Sequence, residues 1–526
     1  MSGSPATSIR VAEGQLGGSV SADGVVRSFK GIPYARPPVG ELRWRAPQPP
    51  EPWEGLRDAT RFGPTAPQPP VLPNSLYVGG HEHQSEDCLT LNVWTAADSS
   101  DARLPVMVWL HFGAYLYGGS SVPLYDGEDL AREGVVVVTL NHRLGRLGFL
   151  AHPELSAESP HGASGNYGLL DVVEALRWLA GNVAAFGGDP QRVTLFGLSA
   201  GSMSVSTLMA SPLARGLFQR AIGESGGSFG PTASSSGITD SMQDLHSAEQ
   251  TGLALARALG ARSVADLRRL SPSELMAAAL PPQGEDRWIL DSSDVPFSRG
   301  GLDTGFPIVD GHLLPEPAYA IYASGRQAQI PLITGSVADE ASGMMYMADA
   351  ASFIADARRE YGERADAFLS LYPAGDDAET ASNSPRANAD RVFIWQNWTW
   401  AHLHSRAQDT FYYHFSREPP IPPGADIAEH VRGAFHGAEI PYVFRHLGVR
   451  DWPWADHDRE LSRAMSSYWV NFARTGDPNG AGLPSWPRFD PAAPTAMHFG
   501  DAIGNGAVPR RDHLAFWDEY YRERRR

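Results

Sequence analysis

The chain has 526 residues, 42% hydrophobic and 20% charged, with 54 glycines and 42 prolines; so much apolar content excludes an intrinsically disordered chain and leaves a loop-rich folded protein of enzyme size. Acidic residues outnumber basic ones 60 to 43, and the net charge of −17 argues against nucleic acid and anionic lipid surfaces as partners. No apolar run reaches the roughly 18 residues of a membrane span and the N-terminal stretch lacks the apolar core of a secretory signal, so no membrane association and a cytoplasmic location are expected, unless a leader was removed.

Along the chain, residues 33–73 are heavily marked by proline and carry Trp44 and Trp53, which predicts extended loops wrapping the body. Short β-branched runs at 106–110, 135–140, 192–196, 331–334 and 411–415 suit strands covered on both faces. Between the second and third lies 167–180, where Leu169, Leu170, Val173, Leu176, Trp178 and Leu179 recur at helical spacing. Strand, helix, strand in that order predicts an α/β fold with a mostly parallel central sheet and helices on both faces. Regions of about 230–300 and 341–405 read as helical insertions over the sheet edge, forming lids and pocket walls of one catalytic domain spanning 1–526. The basic tail at 520–526 reads as a frayed, solvated helix end.

Several chemistries are excluded or unsupported. The chain has one cysteine, Cys88, so neither an intrachain disulfide nor a cysteine-cluster zinc site can form. Lys30, the only lysine, is followed by Gly31, so no Gly-Lys-Ser/Thr phosphate loop exists; arginine in place of lysine reads as the codon bias of a GC-rich genome. His81 and His83 lack helical metal-site spacing and read as a polar loop at a pocket rim. His402 and His404, among several tryptophans, read as packing residues, and Asp171 as a helix-start acid. No metal or cofactor is called for.

The sharpest local signal is Gly197-Leu198-Ser199-Ala200-Gly201, directly after one predicted strand and before a helix. A serine on a strained strand-to-helix turn leaves no room for side chains two residues to either side, which explains both glycines, and the helix N-terminus points N–H groups at charge developing beside Ser199. A nucleophilic serine needs a base and the base an orienting acid, in the order Ser, acid, His for this kind of sheet. Asp339-Glu340 follows one strand and His436 sits in a Gly-rich loop after another, giving Ser199, Glu340 and His436, with Asp339 as the alternative acid. Ser225, in Gly223-Glu224-Ser225-Gly226-Gly227, forms a similar turn.

Blocks at 29–35, 37–40, 85–93, 141–145, 165–171, 186–190 and 475–478, with the serine turn, make the sequence similar over nearly its whole length to the type-B carboxylesterase family, the cholinesterase-like branch of the α/β-hydrolases, and to its bacterial para-nitrobenzyl-esterase type. The resemblance implies the α/β-hydrolase fold and hydrolysis of a small-molecule carboxylic ester, with water, through an acyl-serine intermediate. It assigns Ser199 as nucleophile, Glu340 as acid and His436 as base, with oxyanion-hole donors at Gly113, Ala114 and Ala200. It also makes Ser225 a buried hydrogen-bonding residue and Cys88, whose counterpart pairs only in secreted members, a buried inert thiol.

Three positions depart from the family pattern: Ala341 replaces the glycine closing the Asp-Glu-Gly motif, Phe112 replaces an oxyanion-loop glycine, and Leu198 replaces the glutamate before the nucleophile. A phenylalanine at a positive φ would be strained, and the ring of Phe112 is expected to occupy pocket space. Leu198 is expected to give an apolar site floor with little preference for choline-like substrates, and Phe112, Tyr115 and Leu198 are the candidate pocket residues. The alternative functions are a hydrolase dedicated to one bulky ester, amide or carbamate, or a catalytically dead ligand-binding protein of the same fold.

Overall fold

The computed structural model describes residues 7–69, 83–232, 242–277, 305–342, 349–425 and 431–525. Parts of both expected insertions, 233–241, 278–304 and 343–348, and His81 of the expected rim loop lie outside the described residues. The strands are β1 (Thr7–Val11), β2 (Gly14–Val20), β3 (Arg27–Pro33), β4 (Leu56–Asp58), β5 (Thr90–Thr95), β6 (Leu104–Leu110), β7 (Val136–Leu140), β8 (Gly188–Leu198), β9 (Arg220–Glu224), β10 (Leu332–Val337), β11 (Thr410–Phe415), β12 (Thr495–Phe499) and β13 (Ile503–Ala507). They form one sheet in the order β1-β2-β3-β5-β7-β6-β8-β9-β10-β11-β12-β13, with β4 beside β2. The run β7-β6-β8-β9-β10-β11-β12 is parallel throughout, and antiparallel pairs close both edges.

Alternation along the central strands supplies a core on each face. Val106, Val108 and Leu110 of β6 enter one cluster, with Val173 and Leu176 of the Tyr167–Asn182 helix. Met107 and Trp109 enter the other, beneath Leu461, Met465, Tyr468 and Trp469 of the Asp456–Thr475 helix. The second insertion is helical where described, with Ala350–Tyr361, Asp377–Ala389 and Trp395–His404 as its longer helices and a π-helical turn at Asp390–Ile394.

The C-terminal tail departs from the sequence reading. Arg511–Arg524 is a docked helix with Tyr520 and Tyr521 buried, and the Arg525 guanidinium lies 3.5 Å from the ring centre of Tyr319 and donates to the Phe229 carbonyl at 2.5 Å. The tyrosines on the helix face give burial that the run of charges concealed, and stacking on an aromatic face suits a guanidinium.

Candidate active site

β8 delivers the chain into a sharp turn at Ser199, whose φ of 58° and ψ of −120° lie where a side chain is strained, and the Ala200–Ala210 helix starts at the next residue. Such strain costs of order 1–3 kcal/mol and needs its surroundings to hold it. Here the Ser199 N–H donates to the Glu224 carbonyl and the Ser199 carbonyl accepts from the Met203 N–H, both at 2.8 Å. A Cβ on Gly201 would stand 2.1 Å from the Leu110 carbonyl oxygen, and one on Gly197 2.7 Å from the same atom. Both glycines are therefore demanded by the close approach of the turn to the end of β6. The Ser199 side chain sits in a partly exposed residue, whereas Ser225, on a second turn with φ of 54°, is wholly buried and directs its hydroxyl to Glu439 at 3.4 Å.

Glu340 and His436 come from loops after β10 and β11 and meet directly: Glu340 Oε2 lies 2.5 Å from His436 Nδ1. Glu340 Oε1 accepts the Val337 N–H at 2.9 Å, so both carboxylate oxygens are engaged in a fully buried position. Nε2, the other ring nitrogen of His436, is buried with no hydrogen-bond partner among the described residues. The neighbouring Asp339 is occupied elsewhere. Its N–H donates to the Ala434 carbonyl and its carboxylate accepts the Ala434 N–H, each at 3.0 Å, so it ties the acid loop to the base loop. Ala341 is buried and keeps a negative φ, so its replacement of glycine carries no backbone strain.

The loop after β6 contains three consecutive left-handed residues, Gly113 (φ 116°), Ala114 (φ 51°) and Tyr115 (φ 59°). A Cβ at Gly113 would lie 2.0 Å from the Tyr117 carbonyl oxygen. The Gly113 carbonyl accepts from the N–H groups of Leu116 and Tyr117 at 2.8 and 3.0 Å, and this curls the loop back on itself. Among the described residues the N–H groups of Gly113 and Ala114 donate to nothing, and that of Ala200, at the first position of its helix, has no helical acceptor.

Phe112 requires a correction. Its φ is negative, so the expected strain does not arise, and its ring stands edge-on to Tyr125, with centroids 6.0 Å apart, in the core cluster that also holds Trp109 and Leu198. The ring lies on the side of Met107 and Trp109 and not on that of Val106, Val108 and Leu110, so the chain has already left the alternation of β6 by Phe112, and the bend there sends the side chain into this core. Leu198 is fully buried in that cluster, and Tyr115 is buried in the opposite one, where its hydroxyl accepts from Ser204 Oγ at 3.1 Å.

Other side chains had no signal in the sequence. The Phe393 ring, from the π-helical turn, packs on the His436 imidazole with centroids 4.4 Å apart. Asn397 accepts the Gly226 N–H at 2.8 Å and donates to Thr334 Oγ1 at 2.7 Å, while Gln396 accepts the Phe229 N–H at 2.8 Å. Together they hold the chain that follows β9. Asp171 is buried against Arg143 at 2.6 Å, His404 hydrogen-bonds the Ile330 carbonyl at 2.7 Å, and burial pushes the Cys88 thiol up, all of which are structural roles.

The carboxylesterase family model matches residues 5–517. The fumonisin B1 esterase of Sphingopyxis macrogoltabida is 36% identical, over 94% of this chain and 86% of that protein. The para-nitrobenzyl esterase of Bacillus subtilis is 37% identical over 88% of this chain and 89% of its own length, and the phenmedipham hydrolase of Pseudarthrobacter oxydans is 35% identical over 95% and 97%. A solved PNB esterase structure superposes with a TM-score of 0.78 at 33% identity, covering 97% of this chain and 99% of that one. The parallel sheet with helices on both faces, the serine turn between β8 and its helix, and similarity along almost the whole length together place the chain in the carboxylesterase family, as a carboxylic-ester hydrolase of the α/β-hydrolase fold.

Proposed function

We propose that residues 1–526 act as one catalytic unit that cleaves a small-molecule carboxylic ester through an acyl-enzyme intermediate, with Ser199 as nucleophile, His436 as general base and acid, and Glu340 as its orienting carboxylate. The observation that carries this reading is the 2.5 Å contact between Glu340 and His436 Nδ1, which leaves Nε2 as the nitrogen without a protein partner. In the first half-reaction Nε2 takes the Ser199 proton as Oγ attacks the ester carbonyl, and Glu340 stabilises the imidazolium. The N–H groups of Gly113, Ala114 and Ala200 receive the oxyanion, each donor of this kind being typically worth about 2.7–4 kcal/mol. His436 then protonates the departing alcohol. Water enters along the same path, gives its proton to His436, and the acid leaves as Ser199 recovers its hydrogen.

Leu198 places hydrocarbon where a glutamate would put charge beneath this centre, which supports a preference for neutral esters. The dead-protein alternative rested on Phe112, and the core position of that ring removes its support. Relatives named for substrates as different as fumonisin B1 and phenmedipham leave acyl and alcohol size to experiment. The test is release of p-nitrophenol from esters of increasing acyl length by the parent and by Ser199→Ala. Activity that vanishes in the variant, with an optimum in chain length, is the expected result; activity that survives in Ser199→Ala overturns the assignment.

A further inference from the structure

Each donor assigned to the oxyanion belongs to a peptide unit whose other end is a carbonyl, and in a trans peptide the N–H and the C=O point opposite ways. Fixing the carbonyl therefore aims the N–H. The carbonyl paired with the Ala114 N–H is that of Gly113, held by the N–H groups of Leu116 and Tyr117 at 2.8 and 3.0 Å. The carbonyl paired with the Ala200 N–H is that of Ser199, held by the Met203 N–H at 2.8 Å. The third donor, the Gly113 N–H, shares its peptide with the Phe112 carbonyl. Here a side chain takes the part that main-chain groups play at the other two: His111 Nδ1 lies 2.7 Å from that oxygen.

A carbonyl oxygen only accepts, so this contact puts a hydrogen on Nδ1. The ring is held in place for it. His111 is buried and stacks on the His142 imidazole, from the chain just past β7, with centroids 4.9 Å apart and planes 7° from parallel. Gly118 closes in on the contact itself: a Cβ there would stand 2.5 Å from His111 Nδ1 and 2.7 Å from the Phe112 oxygen. The buried Gln68 amide clasps Gly118 in turn, its oxygen accepting the Gly118 N–H at 2.8 Å and its nitrogen donating to the Gly118 carbonyl at 2.9 Å. A hydrogen bond on the carbonyl also draws electron density from the amide nitrogen and strengthens its N–H as a donor, since hydrogen bonds in a chain polarise one another by about 10–30%.

We propose that His111 is a positioning residue for ester hydrolysis: its Nδ1–H holds the Phe112 carbonyl and thereby aims and polarises the Gly113 N–H at the oxyanion. The role rests on the acyl-serine reaction proposed above, whereas the proton on Nδ1 is observable without turnover.

The experiment compares His111→Phe, His111→Asn and His111→Gln with the parent and with Ser199→Ala. Phenylalanine keeps a flat ring against His142 but has no donor. Asparagine offers an N–H at the δ position, where Nδ1 stands, and glutamine offers one a bond further out. A misaimed donor is felt in the transition state and not by bound substrate. His111→Phe is therefore expected to lower kcat on p-nitrophenyl esters by roughly 10- to 100-fold, less than outright removal of a donor, with KM within about threefold. Asparagine is expected to recover most of the loss and glutamine little of it. Affinity for an alkyl trifluoromethyl ketone, whose adduct with Ser199 carries the same oxyanion, should fall in step with kcat/KM. A loss under about threefold in His111→Phe, a rise in KM that accounts for the loss, or an asparagine variant no better than the phenylalanine one overturns the proposal. Nitrogen NMR of isotope-labelled imidazoles in Ser199→Ala needs no turnover and decides the matter if His111→Phe fails to fold: the expected signal is an Nδ1–H tautomer at His111, and a proton on Nε2 alone overturns the proposal. Turnover surviving in Ser199→Ala would sink the acyl-serine reading and the role of His111 with it, whereas an inactive Ser199→Ala beside an unimpaired His111→Phe sinks the present proposal alone.

Discussion

Replacing Glu340 by glutamine keeps the shape of the side chain and removes its charge. Unit charges at the observed 2.5 Å attract by about 7 kcal/mol at an effective dielectric of about 20, and this attraction exists only while the imidazole carries the proton, that is, from the attack of Ser199 until the leaving alcohol is protonated. The ground state, with a neutral imidazole, loses only a hydrogen bond. At about 1.4 kcal/mol per decade, 7 kcal/mol is an upper figure of roughly 10⁵ in rate, and the residual dipole of the amide reduces it to about 10³–10⁴. Substrate binding makes no use of this charge, so KM is expected to stay within about threefold. Stopped-flow measurement of the p-nitrophenol burst isolates acylation, and melting curves check that the glutamine still accepts the Val337 N–H. Asp339→Asn is the matched control: the amide oxygen can keep the Ala434 N–H bond, so its acylation rate is expected to stay within about tenfold of the parent. A loss below about tenfold in Glu340→Gln, or an equal loss in Asp339→Asn, would refute the assignment of the acid.

Three further outcomes are expected. Gly201→Ala drives a methyl group onto the backbone oxygen of Leu110 at 2.1 Å, which no rotamer relieves, and should cost roughly 3 kcal/mol or more, whereas Gly181→Ala, with nothing within 4 Å in the Tyr167–Asn182 helix, should stabilise by about 0.5–1 kcal/mol; paired melting curves separate the two. Phe112→Gly should remove about 3–5 kcal/mol of stability without raising the rate on p-nitrophenyl esters, and a faster enzyme of unchanged melting temperature would put the ring back in the pocket. Burial lowers His404 to about 4, below its unfolded value near 6.5, so the unfolded chain binds the extra proton between them and stability is full above about pH 6.5 and lost as pH falls towards 4. His404→Gln should flatten that acid limb in a pH series of denaturant melts; an unchanged slope counts against the assignment.

The residues that make backbone demands were the ones legible in sequence. Gly197 and Gly201 are glycine because Leu110 leaves no space, and such a constraint writes itself into five consecutive positions. The central strands were legible because burial on both faces makes them apolar throughout, while β2 was not: Gly14, Gly17 and Gly18 spoil its strand pattern, and Gly18 is there because a Cβ would meet the Ser28 carbonyl at 2.4 Å. Phe393 and Asn397 were invisible for another reason. One sits in the π-helical turn and the other in the helix after it, and the relation of each to His436 or to the turn after β9 exists only once distant segments pack. Phe112 was misjudged because the identity of the residue was legible but the direction of its side chain depends on where the pleat of β6 ends.

The geometry of the site follows from strand register. The N–H of Ser199 reaches the Glu224 carbonyl at the end of β9, the N–H of Ser225 reaches the Gly335 carbonyl in β10, and the N–H of Ala338 reaches the Phe415 carbonyl at the end of β11, each at 2.8 Å. The N–H of Asp339 then reaches the Ala434 carbonyl, and its carboxylate accepts the Ala434 N–H, beside the loop that carries His436. The segments carrying Ser199, Glu340 and His436 are thus linked by a staircase of main-chain bonds across four adjacent parallel strands, closed at its last step by the Asp339 carboxylate. Because catalysis needs this alignment and substrate choice does not, loops and insertions above the sheet can change while the staircase stays fixed. The same separation explains why the reaction class is readable from the chain and the identity of the ester is not: the first is set by backbone contacts at named glycines and strand ends, the second by the volume enclosed above them.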